Sequence, residues 1–364
     1  MLTKYDEFLC HQTVDTFDSV ATSAREWTER IWFSAHDTEG KRQLVAGFGH
    51  YPNRNVMDAY ACFVVEGKTQ YCVRASRELR PAIDEVRVGP FSYEVIEPLA
   101  LVRLSLGDNE YGLRFRIDFR GAMPPHEEEA QFAKSRGRVL ENIKRYVQVG
   151  RPSGWINAGG AMFRIDELVW RAERDHSWGI RRGGGVPETG VQPGEVPRGY
   201  LYNFMLAQFD SWGVTYHVRE DWDASLLSFS GAMMYPPDAG QPERRIASVD
   251  HQYTFKQDIR HISGGTVVFH TDGGEPIEVA VRPLSTCYIR AGGYFGFRGF
   301  THGLWLGGYY IDGFTLDLTD SNTLKEVSFI EDFMCEMRCG SEVGYGIVEM
   351  VVIGTYPKYG YLSY

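Results

Sequence analysis

One short stretch near the middle of the chain concentrates the residue types that carry acid–base chemistry. Residues 171–181 bring together Asp175, His176 and Trp178, among arginines and a glutamate, just before the glycine run 183–185. An imidazole takes up or releases a proton near neutral pH, and an indole face stabilises a cation. The stretch therefore predicts a catalytic site for an apolar substrate that develops positive charge.

The apolar run 162–170 leads into this stretch and places it at the end of a β-strand. Neighbouring side chains of a strand point to opposite faces, so His176 and Trp178 are predicted to face the ligand, with Asp175 and Ser177 behind them. The alternative is structural: Asp175 caps a turn, Trp178 fills core and His176 bonds a backbone group. For any single residue the structural role is favoured, and for the set together the functional role is favoured.

The second half of the chain offers partners for such a site. Residues 292–307 alternate glycine with rings and include Tyr294, His302 and Trp305, which either wall an aromatic cavity or stack along a glycine-kinked strand. Glu349 lies in an apolar run, where burial would raise its pKa and make it a general acid. A salt bridge from Glu349 to an arginine is the plainer alternative and is favoured.

Composition narrows the class of protein. The 364 residues are 43% hydrophobic and 24% charged, with a formal charge of −10. This length accommodates two ordinary domains or one large β domain. The acidic balance disfavours nucleic acid and anionic lipid as partners and favours a small hydrophobic molecule.

Several common targeting and cofactor signals are missing from the sequence. It has no run of about eighteen apolar residues and no signal-peptide pattern, so we expect a cytoplasmic protein without stable membrane insertion. The six cysteines are expected to be reduced, with Cys335 and Cys339 acting as small buried hydrophobes. Walker, dinucleotide-binding and His-Glu-x-x-His motifs are absent, and nothing beside His217 and Glu220 completes a ligand set. Neither a cofactor nor a metal is predicted, and the sequence leaves the oligomeric state open.

The pattern of strands predicts an all-β fold. Aromatic residues make up 14% of the chain and there are 40 glycines, a composition that favours strands joined by tight turns. Hairpins are predicted at 29–50, 58–75 and 99–119, and such meanders close into barrels. One notable helix is predicted at 127–148, because Pro124-Pro125 and an acidic first turn open it.

The chain divides at a segment rich in glycine and proline. We predict two tandem antiparallel β-barrels of the lipocalin-like (calycin) type: an N-terminal domain at 1–181, a linker at 182–198 and a C-terminal domain at 199–364. The strand rhythm of the second domain resembles that of the first, although no clear sequence repeat relates them.

Three segments resemble one known family. The box Arg-Asp-His-Ser-Trp-Gly at 174–179, the glycine-ring segment 293–299 and the ending 344–349 are similar to the carotenoid 1,2-hydratase/AttH-type family of double lipocalin-like proteins. The resemblance covers roughly residues 25–360. It implies two calycin-like barrels with a hydrophobic ligand in or between them. Members of this group include hydratases of isoprenoid double bonds, a prenyl-flavonoid hydratase and Diels–Alderases that fold a polyene.

The sequence departs from the carotenoid hydratases at the acid. Those enzymes pair the His-x-Trp, which is 176 and 178 here, with a downstream Tyr-x-Asp, whereas the matching stretch from Tyr202 to Gln208 contains no acid. Asp175, Asp210 and Glu349 are the candidates to replace it, and the alternative is a reaction that needs no strong acid.

Together these features predict a cofactor-independent enzyme. It would hydrate, isomerise or cyclise a double bond of an isoprenoid or polyketide-like molecule, and the alternative is a carrier of a lipophilic metabolite. The predicted catalytic residues are Asp175, His176, Trp178 and Glu349, and the predicted substrate-binding residues are Tyr202, Gln208, Tyr294, His302 and Trp305.

Overall fold

The computed structural model describes residues 1–181, 198–257 and 259–362, which build two curled antiparallel β-sheets packed against each other. The all-β, double lipocalin-like fold class is confirmed. The linker predicted at 182–198 falls, as far as residue 197, outside the described residues.

The first half of the chain supplies most of the first sheet. Its strands are β1 (Trp27–Asp37), β2 (Arg42–Tyr51), β3 (Val56–Val65), β4 (Thr69–Glu78), β5 (Arg87–Val88), β6 (Phe91–Glu97), β7 (Leu101–Leu106), β8 (Leu113–Gly121), β9 (His126–Glu127), β10 (Gln131–Ser135), β11 (Arg138–Ala158), β12 (Ala161–Ile165) and β13 (Trp170–Ile180).

The second half forms a closed barrel and lends one strand to the first sheet. Its strands are β14 (Gly199–Gln208), β15 (Gly213–Asp221), β16 (Leu226–Met234), β17 (Arg244–Phe255), β18 (Ile262–Thr271), β19 (Ile277–Tyr288), β20 (Tyr309–Asp317), β21 (Glu331–Cys339) and β22 (Glu342–Gly354). All of them except β20 close into an eight-stranded barrel in which β22 pairs with β14.

Strand β20 lies within the predicted C-terminal domain but pairs with β4 of the first sheet. The first sheet thus has 14 strands, in the order β20-β4-β3-β2-β1-β13-β11-β8-β7-β6-β5, while β9, β10 and β12 pair with β11. It is an open, curled sheet with β20 at one edge and β5 at the other.

Helices are short in the described ranges. The α-helix α1 (Ser321–Val327) begins at Asp320, whose side chain accepts the Thr323 N–H at 2.8 Å. Single 3-10 turns occupy Lys4–Glu7, Pro52–Arg54, Pro237–Ala239, Ile289–Gly292 and Pro357–Tyr359. None of the helices in these ranges has the length and apolar character needed to cross a membrane.

The helix predicted at 127–148 is wrong. The half of this segment from Arg138 onward belongs to β11, a strand of 21 residues in which Ile143, Arg145 and Val147 are buried while Lys144 is exposed. That period of two is the pattern of a strand. Proline and acidic residues imitate a helix start locally, but pairing of β11 with β8 and β13 overrides local propensity.

The apolar side chains form three separate layers. One fills the curl of the first sheet around residues such as Phe33 and Phe63, and another fills the barrel around Met205 and Val348. The third lies between the back of the first sheet and the outside of the barrel, where the Trp32 and Phe204 rings meet edge to face at 6.3 Å. The two sheets are therefore joined by a hydrophobic core of their own.

A buried guanidinium anchors β20 on the first sheet. Arg74 of β4 is fully buried and lies opposite Asp312 of β20; its Nε donates to Oδ1 at 2.9 Å, and a second hydrogen bond joins Nη2 to Oδ2. Its Nη1 donates to the Phe297 carbonyl at 2.7 Å. The guanidinium also lies 4.9 Å from the ring centroids of Phe300 and Phe314. Strand pairing is thus reinforced by an ion pair whose guanidinium is buried and whose carboxylate is partly exposed.

Candidate functional site

Strand alternation divides the 171–181 stretch between two different cavities. On one face of β13, Asp175 approaches Arg145 with 3.6 Å between Oδ2 and Nη1, and it faces the layer between the two sheets. On the other face, His176 bonds Glu29 inside the curl of the first sheet. Side chains that are adjacent in sequence are therefore separated by the thickness of the sheet.

The glycine that ends the Asp-His-Ser-Trp-Gly box has a backbone role. Gly179 has a φ of +126°, and a Cβ at this position would lie 2.0 Å from the Asn142 carbonyl oxygen. Only glycine adopts this conformation and permits so close an approach. This part of the most specific motif is therefore explained by packing of β13 on β11.

His176 lines an inner cavity of about 1030 Å³ within the first sheet, together with Glu29, His50 and Tyr93. Its Nε2 lies 2.8 Å from Glu29 Oε1 and its Nδ1 lies 3.3 Å from the Tyr146 hydroxyl. Burial by itself raises the pKa of Glu29, but the hydrogen bond and charge of His176 outweigh it and lower that pKa. Both ring nitrogens of His176 already have partners.

Trp178 packs beside this pair. Its ring centroid lies 5.5 Å from that of His176 and 6.5 Å from that of Tyr146, both with edge contacts. The predicted His176 and Trp178 thus contact each other on one face of β13, although only His176 lines the inner cavity.

A second cavity of about 300 Å³ lies between the first sheet and the barrel, and we call it the interlayer cavity. The predicted residues Tyr202, Tyr294, His302 and Glu349 meet here, although they come from β14, β22 and the loop before β20. Its other lining residues include Thr28, Arg30, Tyr51, Ile143, Arg145, Arg181, His217, Arg219, Thr301, Ile330, Val351 and Ile353.

Two carboxyl groups face each other at the wall of the interlayer cavity. Asp332 of β21 is opposite Glu349 of β22 in the strand register, and its Oδ2 accepts the Trp32 indole N–H at 2.9 Å. Burial raises the pKa of both carboxyls, and the charge of Glu349 raises that of Asp332 further. Because two neighbouring carboxylates repel each other, the pair holds a proton more strongly than an isolated carboxyl does.

Arg145 places a fixed positive charge beside this pair. Burial alone would lower the pKa of Arg145, but the charge of Glu128 outweighs it, and Nε and Nη2 donate to Glu128 Oε2 at 2.8 and 2.6 Å. The charge of Arg145 in turn opposes the rise in the pKa of Glu349. Burial also keeps the Tyr202 hydroxyl protonated by raising its pKa well above the ordinary value. The site thus combines an acid, a cation and a neutral phenol.

Two neutral imidazoles face the same cavity. His302 is 3% exposed, and burial lowers its pKa to about 4 although Asp58 opposes this effect. Its Nδ1 lies 3.6 Å from Asp58 Oδ2, and its Nε2 has no hydrogen-bond partner among the described residues. His217 is also buried, burial lowers its pKa well below the ordinary value, and its Nε2 has no partner in the same ranges. Buried nitrogens of this kind are normally satisfied, so they point to a ligand or water in the cavity.

We expect folding stability to fall as the pH drops from 6.5 towards 4, and His302 to account for part of the loss. The unfolded chain binds a proton at the ordinary histidine pKa of 6.5 whereas the folded site resists it to about pH 4, which costs about 3 kcal/mol at pH 4. Urea unfolding of His302→Gln at several pH values should show a flatter dependence than the wild type. His270→Gln, on an exposed site, is the matched control, and equal slopes for all three proteins would contradict the prediction.

The other predicted residues do not line the interlayer cavity. Gln208 is buried and its Nε2 donates to the Gly150 carbonyl at 2.9 Å, which ties β14 to β11. Trp305 is 51% exposed. Asp175 also accepts the Trp32 backbone N–H at 3.3 Å, and Asp210 is exposed.

Sequence reasoning missed several polar residues of the cavity. Asp332 had a usable signal, because a hairpin turning at Gly340 sets it opposite Glu349. Arg30, Arg145 and Arg181 had no local signal, since each is one arginine within a strand or at its end.

Two packed lipocalin-like units with a polar cavity between them define the class as a double lipocalin-like protein. The chain belongs to DUF8625, a family of unknown function, whose profile matches residues 2–362. No curated protein matches the sequence.

Solved structures share the fold at low sequence identity. The chain is similar to a putative AttH from Nitrosomonas europaea (TM-score 0.54, 12% identity, covering 89% of this chain and 92% of that one). It is also similar to CghA, solved with Sch210972 (TM-score 0.52, 11% identity, 91% and 89%). Kievitone hydratase from Nectria haematococca matches with a TM-score of 0.45 (12% identity, 90% and 89%). The AttH-like fold that the resemblance implied is confirmed.

Proposed function

We propose that this protein is an enzyme that converts a hydrophobic, isoprenoid or polyketide-like molecule in the interlayer cavity. The reaction would be acid-assisted hydration, isomerisation or cyclisation of a double bond. The observation that carries the proposal is the Asp332–Glu349 pair, which keeps a proton at the wall of a cavity lined in part by apolar side chains.

The chemistry begins with proton transfer from the carboxyl pair. The π electrons of the substrate double bond take the proton of the Asp332–Glu349 pair through Glu349, the member that lines the cavity, and form a new C–H bond. This leaves a carbocation on the substrate and both carboxyls ionised beside Arg145. The rings of Tyr202 and Tyr294 line the cavity and shelter the cation.

The cation then has three fates. It is attacked by water, loses a neighbouring proton, or is attacked by a second double bond, which gives hydration, isomerisation or cyclisation. The first two release a proton, and the neutral imidazole of His302 is placed to accept it. Cyclisation ends in the same way once the ring is closed.

The fold also supports the proposal. CghA has been solved with the small molecule Sch210972, so a protein of this architecture holds such a ligand. A carrier is the second candidate function; it is favoured by the larger inner cavity of about 1030 Å³, where His176 and Glu29 pair with each other.

The test is conversion in heavy water. Purified protein is incubated with a panel of terpenoid and polyketide polyenes in D₂O, and products are identified by mass spectrometry and NMR without assuming their structures. We expect a product with one deuterium on carbon at the former double bond, because the acid exchanges with solvent. If the protein retains a ligand unchanged and converts no substrate, it is a carrier and the proposed enzymatic function is wrong.

A further inference from the structure

The interlayer cavity contains a guanidinium without a counterion. Arg30 extends from β1 into the cavity, where its Cζ lies 4.6 Å from the centroid of the Tyr294 ring. Within residues 1–181, 198–257 and 259–362, the Arg30 side chain has no hydrogen bond and no carboxylate within 4.0 Å. Burial alone would lower the pKa of Arg30, but the neighbouring tyrosines and the more distant Asp58 outweigh it and raise that pKa. A planar cation stacked on a ring keeps its N–H groups directed outward, ready for an acceptor.

A second arginine lies close to the first. Arg181 follows β13, and its Nη2 donates to Ser177 Oγ at 2.8 Å. Its Nε is buried without a partner among the described residues, and no carboxylate there lies within 4.0 Å of it. Burial first, and then the positive charge of Arg30, lower the pKa of Arg181. Two like charges thus repel each other in an enclosed space, a cost that an anion between them would remove.

The acids around the cavity are engaged elsewhere. Four neighbouring carboxyls have other partners: Glu128 binds Arg145, Glu141 binds Arg219, Asp58 accepts the Gly303 N–H and the Tyr51 hydroxyl, and Asp175 accepts the Trp32 N–H. Asp58, Asp175 and Glu349 act on the two guanidinium groups only from a distance, so no carboxylate of the described residues is within ion-pair distance of either one.

The remaining wall of the cavity is apolar. Ile143, Ile330, Val351 and Ile353 line it, so a ligand there meets a hydrophobic surface as well as the two cations. A volume of about 300 Å³ is at the small end of pockets that hold drug-sized molecules.

We propose that Arg30 and Arg181 bind a carboxylate, so that the substrate is an amphipathic carboxylic acid with an apolar, unsaturated body. Paired guanidinium groups match the two oxygens of a carboxylate in geometry and charge. The identification as a substrate rests on the proposed function; the binding itself does not. With the carboxylate of the substrate bound by the two arginines, its apolar body lies along the apolar lining of the cavity. Glu349 lines the same cavity.

Calorimetric titration of matched acids and esters tests this inference. The probes are farnesoic acid and dodecanoic acid with their methyl esters, and the proteins are wild type, Arg30→Gln, Arg181→Gln and the exposed control Arg114→Gln. We expect the wild type to bind at least one acid roughly 10- to 100-fold more tightly than its ester, the size of a charged hydrogen-bond contribution. Each cavity variant should lose that preference while its affinity for the ester stays unchanged, and the control should keep it.

Three results would overturn the inference: no binding of either acid to wild type, equal binding of acid and ester, or equal losses for both ligands in the variants. The wild-type comparison alone decides the matter if a variant does not fold. Failure of the proposed function is distinguishable, because an acid that binds with this preference but is never converted supports the anion site and indicates a carrier. If the protein converts only neutral compounds, the proposed enzymatic function is supported and the proposed carboxylate-binding site is wrong.

Discussion

Replacement of Glu349 by glutamine is expected to lower kcat by about 100- to 10,000-fold while substrate Kd changes by less than about threefold. Glutamine keeps the shape of the side chain and its hydrogen-bonding capacity, but its amide cannot release an acidic proton. Asp332 would keep its bond from the Trp32 indole, so the wall of the cavity should remain intact. Steady-state kinetics and ligand titration on a substrate identified in the D₂O screen measure both quantities.

The dependence of kcat on pH also tests the role of Glu349 as the acid. Because the acid must be protonated, kcat should be constant at low pH and fall as the pH rises through the pKa of the carboxyl pair, which burial has raised. Glu349→Gln should lose this alkaline decline. Glu278→Gln, on an exposed position of β19, is the matched control and should behave as wild type. Wild-type turnover in Glu349→Gln would remove this residue from the chemistry.

Replacement of Arg74 by alanine is expected to lower the free energy of unfolding by about 3–5 kcal/mol, as for other buried ion pairs that lose one partner. The change leaves the Asp312 carboxylate without its cation and the Phe297 carbonyl without its donor. It also removes the cation between the rings of Phe300 and Phe314. Equilibrium urea unfolding, followed by tryptophan fluorescence, measures the loss.

An exposed pair of the same sheet provides the comparison. Arg114 and Asp108 are 2.6 Å apart but 43% and 89% exposed, so Arg114→Ala should cost less than about 1 kcal/mol. The double variant Arg74→Met/Asp312→Leu should recover part of the loss, because it removes both charges. If Arg74→Ala unfolds at the same urea concentration as Arg114→Ala, the anchoring role of the ion pair is wrong.

Local sequence patterns were sufficient to predict strand pairing where the two paired strands are neighbours in the sequence. The hairpins at 29–50 and 58–75 correspond to the pairs β1–β2 and β3–β4, because turn residues and alternation specify both arms. The prediction for 127–148 failed because its acidic start is a strong local helix signal. The hairpin of β10 and β11 within the segment was not recognised, and β13, the other partner of this part of β11, is distant in sequence.

Most of the candidate site depends on distant pairings that leave no local trace. The spacing of Asp175, His176 and Trp178 predicted two faces, but the choice of face depends on where the barrel packs. Because the barrel covers the outer side of the first sheet, Asp175 lies on the side of Glu349, and His176 lies in the inner cavity. Arg30 reaches the interlayer cavity only through the register of β1 and β13.

The position of β20 has a consequence for synthesis of the protein. A chain is made from its N-terminal end, so β4 emerges long before residues 309–317, which complete the sheet beside it. Until then β4 has an unpaired edge, the kind of surface that invites aggregation. The first sheet is therefore complete only after β20 has been synthesised. A chain cut between the two units would yield a first half in which the edge of β4 is unpaired and a second half in which β20 has no partner strand.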